Sequence, residues 1–325
     1  MGQMRTFDWD GKTTPALGFG CGGVLGRVGR GGSVRAMHAA WDAGIRLYDT
    51  ARSYGYGEAE GLLGEFLRGR RDQAIVVTKF GIMPHSLPRW KSRARPLVRA
   101  ALKVFPAARG RVRGQVAAPP PRFDVQTLRS SLEQSLRQLR TDYVDVLLAH
   151  EAPASLMAQD DLMAELETIV REGKARHVGV SAAPQDAAIF LSQGPELLSV
   201  MQFPGYPLEA RLPPQEAEPK RLRMVNHPFG GITRGSIALQ TLAAIANDAG
   251  VASALREKLR GDARERLAEV VFASLRETAR PDVIVPSMLH PESVRANVAA
   301  IDSKRFSSDE LELLRTRLWD SGAPL

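Results

Sequence analysis

Eight short runs rich in β-branched and other apolar residues recur along the 325-residue chain, most of them followed by a longer stretch of helical periodicity. This alternation constrains the fold more than any other feature. Parallel strands need a crossover of a dozen or more residues, and a helix is the usual one. The strand candidates are 16–20, 46–49, 75–79, 143–150, 176–181, 198–202, 222–226 and 283–286. Helical patterns lie at 34–43, 58–68, 125–139, 162–172, 185–192, 264–278 and 292–300. A closing helix at 309–318 is announced by Ser307-Ser308-Asp309-Glu310, a capping box. The stretch 212–220 after the sixth strand is Pro-rich and acidic and gives the poorest helical pattern, while 236–260 is irregular but helix-compatible. No long polar linker divides the series. The expectation is an α/β fold, a single-domain (β/α)8 TIM barrel over residues 1–325.

In such a barrel, ligands gather at the C-terminal ends of the strands, and strand side chains alternate between the two faces. Asp49 has the parity of Leu47, Lys79 that of Val77 and Ile75, and His150 that of Leu148, Val146 and Val144. Each therefore ends an inward-facing apolar row, on the second, third and fourth strands. Tyr54, five residues beyond Asp49 in the following loop, can reach the same volume; Tyr48 has the opposite parity and should face the helices, and Tyr56 is the remaining competitor. A free phenol is a poor proton source near neutrality, and a neighbouring ammonium lowers its pKa. Lys79 could supply that ammonium, Asp49 could hold it, and His150 could orient a carbonyl and share in proton relay. The four residues form a coherent acid–base site for reducing C=O. Arg52, beside them, is read as a substrate contact or, in the favoured reading, as a solvated side chain.

The stretch Tyr48-Asp49-Thr50-Ala51-Arg52-Ser53-Tyr54-Gly55, followed by Glu58 and Gly64, resembles the first signature of the aldo-keto reductase family. Thr78-Lys79 and Leu147-Leu148-Ala149-His150 are similar to its second and third catalytic strands, and Val285-Pro286, His290-Pro291-Glu292 and Asn297 to its C-terminal cofactor segment. The resemblance implies a (β/α)8 barrel that binds NADP(H) or NAD(H) and interconverts a carbonyl (aldehyde, ketone or sugar) and an alcohol. It implies Tyr54 as general acid/base, completed by Asp49, Lys79 and His150. It implies cofactor contacts from Gly20, Ser181, Gln202, Asn226, Pro286, Ser287, Met288 and Asn297. Ala182 stands where the family places an Asn, and Ser287, Met288 and Ser293, with Arg295 nearby, stand where many NADPH-preferring members carry Lys, Ser and Arg.

The net charge of +8 comes from one place. Residues 82–123 hold ten Lys/Arg and no acid; without them, 34 basic side chains face 36 acidic ones. This segment follows the third strand and should overhang the barrel mouth. It is read as a solvated basic loop, as a lid favouring an anionic substrate, or as an attachment to membrane or nucleic acid. Gly18-Phe19-Gly20-Cys21-Gly22-Gly23 matches G-x-G-x-x-G, but glycines continue to Gly32 before any helical pattern, which argues against a dinucleotide-binding Rossmann unit. Cys21 is the single cysteine and the histidines show no metal-ligand spacing, so neither a disulfide nor a metal is expected. No run is long enough to span a membrane, and no apolar leader follows Met1, so a monomeric cytoplasmic enzyme without nucleic-acid partners is expected. Two alternatives remain: a nucleotide-binding regulatory barrel with little chemistry, and a basic binding module acting through residues 82–123.

Overall fold

The computed structural model describes residues 5–26, 28–84, 120–206 and 221–319. The stretch 212–220 and most of the basic segment lie outside the described residues. A hairpin of β1 (Thr6–Trp9) and β2 (Lys12–Pro15) precedes eight parallel strands: β3 (Phe19–Gly20), β4 (Leu47–Asp49), β5 (Ile75–Phe80), β6 (Val144–His150), β7 (Ala175–Ser181), β8 (Leu198–Pro204), β9 (Leu222–Asn226) and β10 (Val283–Val285). Each strand pairs with the next in sequence, from β3 to β10. Parallel bridges from Leu17 to Ile284 and from Gly20 to Ser287 join the last strand to the first, with the Gly18 amide donating to Ile284 O at 2.8 Å. The sheet closes into the expected barrel.

Two separate apolar cores follow from the strand alternation. Leu47, Ile75, Val77, Val146, Leu148 and Val200 belong to the small cluster inside the barrel. Their neighbours of opposite parity, such as Tyr48, Val76 and Leu147, join the larger cluster beneath the helices. The outer layer comprises α1 (Gly29–Asp42), α2 (Ala59–Phe66), α3 (Val125–Leu139), α4 (Asp160–Arg171), α5 (Pro184–Gln193), α6 (Gly231–Asn247), α7 (Ser253–Lys258), α8 (Ala263–Thr278), α9 (Pro291–Ala300) and α10 (Ser308–Trp319). The capping box at α10 forms in both directions: Ser307 N donates to Glu310 Oε2 at 2.8 Å, and Glu310 N to Ser307 Oγ at 3.3 Å. The stretch 236–260 resolves into most of α6 and all of α7.

The hairpin closes the end of the barrel opposite the mouth. Asp10 and Gly11 turn it with φ of 50° and 73°, the left-handed pair that a two-residue hairpin requires. Phe7 and Trp9 pack on the interior cluster. Lys12 Nζ meets the buried Asp145 Oδ1 at 2.6 Å, which ties the hairpin to β6. At the other end, the chain leaves β5 through Gly81, whose carbonyl accepts from Arg122 N at 3.0 Å. The two flanks of the basic segment are thereby pinned together on the mouth side.

Candidate active site

Asp49 and His150 are the final residues of β4 and β6, and Lys79 is the penultimate residue of β5. All three are buried, Lys79 to 1% exposure. Lys79 Nζ donates to Asp49 Oδ1 at 2.5 Å and to Thr50 O at 2.9 Å. The same ammonium lies 5.0 Å from the centre of the Tyr54 ring, and that ring meets His150 edge-on, with centroids 5.8 Å apart. The four residues that the sequence singled out therefore share one volume at the mouth.

Backbone geometry selects Tyr54 among the neighbouring tyrosines. Tyr54 opens a short turn in which Gly55, Tyr56 and Gly57 all have positive φ, of 58°, 60° and 86°. This reversal leaves Tyr56 53% exposed. Tyr48 faces outward as its parity demands, packed on Phe19 and Phe66. Gly55 suits this turn, since its φ of 58° is left-handed and a Cβ there would crowd Val24 O at 3.1 Å.

The electrostatics depart from the expectation in one respect. Burial raises the Tyr54 pKa, and the Lys79 ammonium offsets this only in part; desolvation of the phenolate outweighs the attraction. The phenol is therefore held in its protonated form. Burial works to discharge Lys79, but the carboxylate of Asp49, aided by Tyr54, overrides it and raises the pKa. His150 is lowered to about 3, by burial first and then by Lys79 and His227. At neutral pH this histidine is an uncharged hydrogen-bonding group, suited to orienting an oxygen rather than to supplying a proton.

The residues expected to meet a cofactor fall into two groups. On one side of the mouth, Ser181 and Gln202 lie in register at the ends of β7 and β8. Gln202 donates through Nε2 to Asp49 Oδ1 at 3.2 Å and accepts from Asn226 Nδ2 at 3.0 Å. Asn226 Oδ1 and Thr50 Oγ1 are buried without a partner. On the other side, Gly20 N donates to Pro286 O at 3.0 Å. A Cβ on Gly22 would lie 3.8 Å from both Ser287 Oγ and the Tyr54 ring, so this glycine leaves a gap between the phenol and β10. Met288 is fully buried in the outer core and can offer a ligand only its backbone, while Asn297 lies on the buried face of α9.

A profile of the Aldo/keto reductase family matches residues 16–190, more than half of the chain. The chain belongs to the aldo/keto reductase family. Among curated members, it is 31% identical over 183 residues to a D-threo-aldose 1-dehydrogenase from a Pseudomonas species, covering 54% of this chain and 53% of that protein. It is 27% identical over 192 residues to the L-galactose dehydrogenase of Arabidopsis thaliana, covering 57% and 50%. The chain spans from about a quarter to about half of the length of the curated relatives it matches. An aldo-keto reductase from Bacillus halodurans, solved in holo form, superposes over 97% of this chain and 96% of its own with a TM-score of 0.63 at 19% identity. An aldo/keto reductase from Klebsiella pneumoniae in complex with NADP and acetate does so over 94% and 92%, with a TM-score of 0.58 at 24% identity. At these identities the superpositions establish the aldo/keto reductase barrel.

Of two further features of this family member, one was legible in its sequence and one was not. The Gly18–Gly23 stretch is not a Rossmann turn, as the run of glycines argued: it holds β3 within the expected first strand and a 3-10 turn at Cys21–Gly23, and α1 begins only at Gly29. Arg52 is not solvated. It is 2% exposed and is the largest fully buried side chain described. Its burial follows from Glu60, two residues beyond the Glu58 of the signature, which turns inward on α2 to meet it. The i, i+8 spacing of two opposite charges across a loop gives no periodic signal that sequence reading could have used.

Proposed function

We propose that this protein is an NAD(P)(H)-dependent oxidoreductase that interconverts a carbonyl and an alcohol, with Tyr54 as the proton-transferring group. The observation that carries this reading is the meeting of Asp49, Lys79, Tyr54 and His150 at the mouth of a closed barrel. Membership of the family supports it, as do relatives named as sugar dehydrogenases and a neighbour solved with NADP.

The residues present fit a nicotinamide dinucleotide. Asn226 Oδ1 and Thr50 Oγ1 are buried polar atoms that lack partners, and Gly22 leaves its gap beside Ser287 and Tyr54. Ser181, Gln202 and Asn226 would hold the nicotinamide end, and Gly20, Pro286, Ser287, the Met288 backbone and Asn297 the remainder. When bound, the cofactor supplies or accepts the hydride at the substrate carbon.

The chain's own residues handle the proton and the oxygen. His150, neutral at working pH, donates a ring N–H to the substrate oxygen and fixes the carbonyl within reach of Tyr54. As negative charge develops on that oxygen, the Tyr54 hydroxyl donates its proton. The Lys79 ammonium, anchored by Asp49 and Thr50 O, stabilises the phenolate left behind. Burial keeps the phenol protonated in the resting site, so the proton is in place on Tyr54 before a carbonyl arrives. The single cysteine supports action in a reducing cytoplasm, and among the described residues no helix is long and apolar enough to cross a membrane.

Titration of NADPH and NADH by fluorescence, followed by turnover with aldehydes, sugars and keto acids, tests the reading. Tyr54→Phe is expected to abolish turnover while NADPH binding persists. Unimpaired turnover by that variant would remove Tyr54 from the mechanism.

A further inference from the structure

Arg52 and Glu60 form an ion pair at 2.6 Å, with both side chains almost fully buried. The other Glu60 oxygen accepts the Thr78 hydroxyl at 2.6 Å. The three residues belong to the loop after β4, to α2 and to β5. Their neighbours in sequence matter more than their identities. Arg52 lies two residues before Tyr54, and Thr78 directly precedes Lys79, with its side chain on the opposite face of the strand.

Removing two charges from water costs more than such a pair usually returns, so a buried ion pair is poor evidence of added stability and better evidence of a fixed arrangement. Here the arrangement is a closed path: the Tyr54 loop, Arg52, Glu60, Thr78, then the backbone of Lys79. The loop turns sharply after Tyr54, with Gly55, Tyr56 and Gly57 all in the left-handed region, a conformation strained only at Tyr56, and the ion pair braces it from the Arg52 side. The Thr78 hydroxyl also fixes which Glu60 oxygen remains for the guanidinium. We infer that Arg52, acting through Glu60 and Thr78, is a positioning residue that sets the approach of the Tyr54 phenol to the Lys79 ammonium.

This inference rests on the functional reading above, but its test includes a readout that does not depend on turnover. Arg52→Met alone would strand a buried carboxylate and could fail to fold, so the working variant is the double substitution Arg52→Met with Glu60→Gln, which removes both charges. Arg52→Lys, which keeps the charge, serves as the conservative control. Three quantities are measured below the unfolding transition: NADPH affinity, the pH profile of kcat, and the tyrosinate absorbance titration with the Tyr54→Phe spectrum subtracted. The double variant is expected to bind NADPH within about twofold of native and to lose on the order of 10- to 100-fold in kcat, as a misplacement of about 1 Å would cause. KM should change far less. The Tyr54 titration should move from its native position as the phenol shifts against the ammonium and its apolar surroundings, and Arg52→Lys should restore part of both effects. A lowered melting temperature with kcat and the Tyr54 titration unchanged would overturn the inference and leave the pair a purely structural one. If native protein shows no turnover, the functional reading fails, while the Tyr54 titration still decides whether Arg52 positions the phenol.

Discussion

The depressed pKa of His150 makes the fold itself sensitive to acid in a way that one substitution should remove. In the unfolded chain a histidine titrates near 6.5; in the folded barrel His150 takes a proton only at about 3, chiefly because it is buried, 8% exposed beside Lys79. A group whose folded pKa lies below its unfolded value contributes stability that is complete above the unfolded pKa and is lost as pH falls towards the folded one. Below pH 6.5 the unfolded state binds a proton that the native state refuses, so each further pH unit costs about 1.4 kcal/mol. By pH 4 the loss from this residue is roughly 3 kcal/mol, a large share of the stability of an ordinary domain. Urea unfolding of native protein and of His150→Gln at several pH values from 7 to 4 isolates the effect. Exposed carboxylates such as Asp124 and Glu172, which also sense acid, are common to both proteins and cancel in the difference. The native protein should lose stability faster than the variant by about 1.4 kcal/mol per pH unit below 6.5. Parallel pH dependences would show that His150 is charged or solvated in the folded state, and the argument that it orients the substrate oxygen as a neutral donor would fall with it.

The remaining expectations concern the ion pair inside the barrel and two glycines. Lys79→Met should destabilise the protein by about 3–5 kcal/mol, because Asp49 is left buried with, among the described residues, the Gln202 amide at 3.2 Å as its remaining side-chain donor; adding Asp49→Asn should recover most of the loss. Urea denaturation of the single and double variants checks this, and a double variant no better than the single would refute it. The raised pKa of Lys79 has its own signature: stability from this group is complete below the unfolded lysine value of about 10.4 and is lost as pH climbs through the higher folded value, so the alkaline limb of the stability profile should flatten in Lys79→Met. Gly179→Ala should cost about 3 kcal/mol or more, since its Cβ would stand 1.9 Å from Val200 O on the adjacent strand. Gly69→Ala, with open space around it and φ of 76°, should cost only the left-handed penalty of about 1–2 kcal/mol; comparable losses at both positions would contradict the close approach at β7.

The barrel was legible in the sequence because its signals are periodic. Strand parity alone placed Asp49, Lys79 and His150 on the inner face and Tyr48 on the outer one, and the structure keeps that division. The hairpin β1–β2 carries a strong turn signal in Asp10-Gly11, but its strands are four residues each and lack a clean apolar alternation, so no periodic signal marks it. The protonation states were not legible. The sequence places an ammonium near a phenol, which argues for a lowered pKa, but how far water is excluded from Tyr54 is a property of the packed mouth, and desolvation decides the sign. Arg52 escaped for a related reason: beside a polar loop an arginine is usually solvated, and only the inward turn of Glu60 makes burial tolerable.

The strands β4 and β5, with the segments that follow them, carry buried charge on both faces of the sheet. Inside the barrel Lys79 holds Asp49; outside, Thr78 holds Glu60, which holds Arg52. Apolar side chains of similar volume at these positions would leave the fold as stable or more so, since buried pairs seldom repay their desolvation. Beneath the mouth the inner cluster of the barrel is apolar, with Leu47, Val77 and Leu148 among its members, so the fold has no need of ions there. Buried ion pairs also stand elsewhere, as in Lys12–Asp145 and Arg266–Glu269, but at β4 and β5 they flank the loop that carries Tyr54. That placement separates the two roles of the ionic groups: the inner pair sets the charge that the phenol sees, and the outer pair sets where the phenol stands.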